Sequence, residues 1–175
     1  MVETGLLVLR LVFGLLIAAH GAQKLFGWFS GPGLSGTKGM TSSMGLKPAG
    51  LWAFGVAASE FFGGVLLALG LLTPLAALMV IAAMLGAIIL VHQGNGLWAA
   101  NGGSELPLTF IGAAAALFIS GPGLYSLDAA FGLIVPPAIT IAVAAVAALS
   151  LVYLATVKRA SQRSTGEPAA AGASD

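Results

Sequence analysis

Six ionisable residues stand where the chain has almost no others: Arg10, His20, Lys24, Glu60, His92 and Glu105. The first three lie within "RLVFGLLIAAHGAQKLFGWF", and Glu60 interrupts "LWAFGVAASEFFGGVLLALGLL". An imidazole, an ammonium and a carboxylate are the groups that move protons or hold a polar head group. Placing them in hydrocarbon is expensive unless they face one another or a cavity. His20 and Lys24 are four residues apart, so they share one face of a helix. These residues are therefore read as candidates for a polar pocket, with Glu60 the deepest. The plain structural alternative is a clamp between two helices with Lys24 reaching to the interface. For Arg10 the corresponding reading is a structural partner or head-group anchor. His92 and Glu105 end and begin apolar segments. No H-E-x-x-H or comparable spacing makes His92 a metal ligand, so no metal site is expected.

The elements that must position these groups are transmembrane helices. The chain has 175 residues, of which 58% are hydrophobic and 7% charged, where about 25% charged is usual for a soluble domain. Mean hydropathy is +1.02. Such a chain cannot supply a polar surface, and the lipid bilayer is its expected partner. A net charge of +1 gives no support to nucleic-acid binding. With no cysteine, there are no disulfides, thiolate ligands or cysteine redox centre on this chain. The apolar runs are continuous and about twice the length of a barrel strand, which disfavours a β-barrel.

About 20 apolar residues cross the hydrocarbon as a helix. Spans are expected over 5–29, 49–72, 74–91 and 104–120, and a fifth runs to about Val157. The N-terminal run is read as a retained span rather than a cleaved signal. Thr73 and Pro74 read as N-cap and first helical residue. The row Gly14, Ala18, Ala22 offers a close-packing face. Trp28, Trp52 and Trp98 read as interface anchors. The glycine-rich links 30–48 and 92–104 are expected as loops, the second a candidate lid. Five crossings put Lys38 and Lys47 on the same side as Lys158, Arg159 and Arg163. The positive-inside rule makes that side cytoplasmic.

The segments "RLVFGLLIAAHGAQKLFGWF", "ASEFFGGVLLALGLLTPLAAL", "HQGNGLWAANGGSELPL" and "FISGPGLYSLD" together resemble the DoxX family of small bacterial inner-membrane proteins. The resemblance implies an all-α polytopic membrane helix bundle: a four-helix DoxX-like core at 1–131. A fifth, C-terminal transmembrane helix at 132–157 and a disordered polar tail at 158–175 are then additions. Arg10, His20, Lys24, Glu60, His92, Glu105 and Asp128 match the family's recurrent polar positions. If that core keeps both its ends cytoplasmic, the added helix places the tail outside, against the charge rule.

The resemblance points to a membrane subunit of a redox-associated complex. Such a subunit would bind a quinone, or anchor a sulfur or oxidative-stress oxidoreductase as its redox protein partner. No cofactor beyond a quinone is expected, because the two histidines stand at different depths and cannot form a haem pair. Two further readings stand beside it: a small-solute or proton-coupled transporter, and a non-catalytic scaffold.

Overall fold

A computed structural model describes residues 1–164. Long apolar runs rich in Ala and Leu fold as helices because every backbone polar group must be satisfied within its own segment in lipid. Helix α1 covers Val2–Phe26, α3 covers Ala49–Leu69 and α7 covers Pro137–Ser164. Helix α4 spans Thr73–Ala87 and continues as a π-helical turn through Ile88–His92. Among the described residues these four are long and apolar enough to cross a membrane. Helix α5, Glu105–Ser120, is apolar but has 16 residues, about 24 Å of rise, against about 30 Å of hydrocarbon. The chain is an all-α polytopic membrane helix bundle.

The links are more ordered than their glycine content implies. Residues 33–43 form α2, Gly33–Ser43, at the end of α1. Its Thr37 hydroxyl donates to the Lys24 carbonyl at 3.1 Å, and its Thr41 hydroxyl to the Ala49 carbonyl at 2.9 Å. A 3-10 turn occupies Ala99–Asn101, and α6 covers Leu127–Phe131. Helix α7 continues past Val157, where the polar tail was expected to begin. Residues 165–175, the remainder of that tail, lie outside the described residues.

Helices α1 and α3 pack through glycine. A Cβ on Gly14 would sit 2.6 Å from the Ala68 nitrogen, and one on Gly64 2.5 Å from the Ala18 nitrogen. A Cβ on Gly21 would overlap the Phe61 backbone. The two backbones therefore touch without intervening side chains, as small-residue packing in membranes allows. Helix α4 lies against α3 and α5, and Ile17, Leu67, Val80, Phe110 and Leu117 close the core. Helix α7 packs on α4 and its π turn, leaving most of its surface outward.

The start of α4 differs from the expected Thr73 cap. Leu72 holds the cap position with φ 47°, and Thr73 is already helical. The capping group is Asp128, more than fifty residues away. Its Oδ1 accepts from the Leu72 N–H at 2.7 Å, and its Oδ2 from the Thr73 N–H at 2.9 Å and hydroxyl at 2.7 Å.

Candidate functional site

The α1–α3 contact brings Lys24 to Glu60. The Lys24 ammonium donates to Glu60 Oε1 and forms an ion pair with it. Glu60 is wholly buried, whereas the Lys24 side chain keeps 25% of its surface exposed. Counting rise from Ala49, Glu60 stands about 16 Å into the bilayer. At that depth an unpaired charge is the costliest arrangement, so the pair neutralises both. Among the described residues Glu60 Oε2 has no hydrogen-bond partner. Each charge is thus held on one side only, with the ammonium the more accessible half.

That accessible half opens on a cleft of about 280 Å³ between α2, α3, α4 and α7. Its walls are apolar: Met40, Met44, Trp52 and Val56 on one side, Met79, Ala83 and Leu90 on another, and Val143, Ala147, Leu151 and Leu154 from α7. Thr41, Ser59 and Ser150 add hydroxyls, but Thr41 and Ser150 already donate to backbone carbonyls. Among the described residues Lys24 is the single charged side chain in the lining. An apolar chamber with one convergent polar group is the usual form of a small-molecule site, and this one sits at the small end of the customary range of about 300–1,000 Å³.

The wall supplied by α7 is fastened at its far end. Trp52 stacks on Tyr153 with ring centroids 5.0 Å apart and planes 8° from parallel. The Tyr153 hydroxyl donates to the Lys47 carbonyl at 3.1 Å, and the Lys158 ammonium to the Leu90 carbonyl at 3.2 Å. Trp52 is therefore an internal strut rather than an interface anchor, while Trp28 and Trp98 are exposed.

The other candidates do not join this cleft. His20 is half-buried and meets the edge of Phe110 on α5, centroids 6.0 Å apart. Nor is it within ion-pair distance of Glu60, the neighbour expected for it. His92 Nδ1 bonds the Gly102 carbonyl at 2.6 Å, and Glu105 Oε2 accepts from the Ala99 N–H at 2.9 Å. Both hold the 92–104 loop in shape, so its glycines serve fixed turns. Arg10 is buried at the opposite membrane face, where its Nη2 donates to the Tyr125 carbonyl at 2.5 Å. It also feels the charge of Asp128. Gly70, at φ 63°, leaves room for the guanidinium: a Cβ there would overlap Nη1. The expected single polar interior is thus three separate sites: the Lys24–Glu60 pair, the loop staples, and Arg10 on the Tyr125 carbonyl. Among the described residues no group of three or more His, Cys, Asp or Glu is arranged to hold a metal.

Sequence reasoning missed the cleft because its walls are ordinary apolar residues. The one signal was Lys24 on an otherwise greasy face.

A profile of the DoxX family matches residues 5–93, half of the chain, including Lys24, Glu60, all but the first residues of α1, and the whole of α2 to α4. The chain belongs to the DoxX family. As a DoxX protein it is a multi-pass protein of the bacterial inner membrane. It is similar to a Bacillus subtilis (strain 168) protein named "Putative oxidoreductase CatD", with 35% identity over 89 residues. The match covers 51% of this chain and 60% of that relative. No solved structure gives a significant match. Helix α7, which closes the cleft, lies outside the part matched by the DoxX profile.

Proposed function

We propose that this DoxX protein is the membrane subunit of a redox-associated complex, and that the cleft beside Lys24 holds a quinone. The observation that carries this reading is the apolar chamber with a single ammonium on its wall. A quinone offers the matching parts: an apolar ring and tail for the methionine and leucine walls, and a carbonyl to accept a hydrogen bond from Lys24. Family membership and the oxidoreductase named among the relatives support the redox assignment. The chain has no cysteine, and its quinone would exchange electrons with a partner protein that carries its own redox centre. In this reading residues 1–131 are the family core, and 132–157 are an added helix that completes the chamber.

Purification in native lipid discs, followed by identification of bound quinone and of associated proteins, tests this. Close to one quinone per chain is expected, falling to background in Ala147→Trp, which fills the chamber from α7. A preparation with neither quinone nor redox partner refutes the reading. Transport is the second reading, favoured by a buried Lys24–Glu60 pair at mid-membrane depth. Solute or proton flux in proteoliposomes that disappears in Glu60→Gln would establish it instead.

A further inference from the structure

We infer that the cleft selects a weak-acid amphiphile and takes up one proton with each anion it binds, the proton going to Glu60. This rests on the cleft being the ligand site, as argued above, but not on the ligand being a quinone in particular.

The inference follows from charge balance in a cleft with apolar walls. The empty site is neutral, because the Lys24 ammonium is paired with the Glu60 carboxylate. Lys24 lines the chamber on a flexible four-carbon stem, whereas Glu60 is fully enclosed on α3. An anionic oxygen entering the chamber competes with Glu60 for the ammonium. Were it to win with nothing else changing, Glu60 would be left as a lone buried carboxylate, which costs several kcal/mol. A proton on Glu60 removes that cost. The balance is then complete: the anion and one proton enter, the anion pairs with the Lys24 ammonium, and Glu60 becomes a neutral carboxylic acid. No bond other than that to the proton is made, and the site is neutral before and after. Glu60 Oε2, which accepts no hydrogen bond, is free to receive the proton.

Among the described residues no other titratable group competes for this role nearby. On α1 the neighbour is His20, one turn from Lys24 and turned to Phe110. On α2 it is Lys38, whose side-chain carbons lie beside Gly50. Helix α4 has no titratable residue before His92, which is bonded to Gly102. Helix α7 offers only Tyr153 within the span, stacked on Trp52, and then Lys158 on the Leu90 carbonyl.

The experiment is calorimetric titration of the full chain in detergent, in two buffers of different ionisation heat. The probes are an alkyl hydroxynaphthoquinone, anionic at neutral pH, and the same alkyl naphthoquinone without the hydroxyl. Wild type is expected to take up one proton per anionic probe and none with the neutral one. Its affinity for the anion should fall up to tenfold per unit rise in pH. Glu60→Gln, which is isosteric, should bind the anion without proton uptake. The double variant Lys24→Met with Glu60→Gln removes both charges together and guards against a folding defect. It should lose the anionic probe, while its hold on the neutral one weakens only by the lost Lys24 hydrogen bond. Anion binding by wild type without a proton overturns the inference, as does binding of the neutral probe alone, and either leaves the quinone reading standing. Binding of neither probe overturns both.

Discussion

Replacing Asp128 by alanine should loosen the face of the bundle opposite the cleft. Its carboxylate accepts three hydrogen bonds, from the Leu72 N–H, the Thr73 N–H and the Thr73 hydroxyl. Each donor left unpaired in a buried setting costs about 1–3 kcal/mol. Hydrogen bonds between membrane helices are worth less, about 0.6 kcal/mol on average. The three are not independent, and Leu72 is partly open to water, so a loss of about 3–5 kcal/mol is expected rather than the full sum. At about 2–4 °C per kcal/mol for a chain of this size, the melting temperature in detergent should fall by about 10 °C. Asp128→Asn keeps one acceptor and should fall about half as far. The assay is thermal unfolding followed by helical circular dichroism, with Tyr125 fluorescence as a local probe. A Tm for Asp128→Ala within about 2 °C of wild type would refute the capping argument.

Three further outcomes follow from the packing. Lys24→Met should destabilise the fold by about 3–5 kcal/mol by stranding Glu60, while Lys24→Met with Glu60→Gln should recover most of the loss in the same unfolding assay; a double variant as weak as the single contradicts the pairing. Gly64→Val should separate α1 from α3, because even a Cβ would press on the Ala18 backbone; little monodisperse protein should be recovered, and a wild-type yield would contradict the close approach. Tyr153→Ala should release the α7 wall by removing both the Trp52 stack and the bond to Lys47; proteolysis between α6 and α7 should quicken severalfold, and unchanged cleavage would show the strut to be idle.

Four of the five expected spans and the ion pair were legible because each depends on local chemistry. Unbroken apolar runs of this length have no stable home outside lipid, and a lone Glu60 in one run must look for a cation such as Lys24 in another. The glycine-rich links were less so. Residues 33–43 carry almost no apolar periodicity, and they become helical because Thr37 and Thr41 tie them to α1 and α3. The cap on α4 was hidden for the same reason: a threonine before a proline looks self-sufficient, and nothing local announces that Asp128 does the work. His92 and Glu105 were placed at the same membrane side as the Lys24–Glu60 pair, but a shared side does not say which way a side chain turns. The cleft was the least visible feature, since an absence of side chains between helices leaves no mark in a list of residues.

Helix α7 contributes one wall of the chamber, yet it is made after the helices that form the others. On the ribosome, α1 to α4 emerge first and pass into the bilayer with the Lys24–Glu60 pair already able to form. Until residues 137–158 follow, the flank of α4 faces lipid acyl chains and the Leu90 carbonyl lacks its ammonium. Closing the chamber therefore waits for α7, and whatever lipid-soluble molecule lies against α4 at that moment can be enclosed.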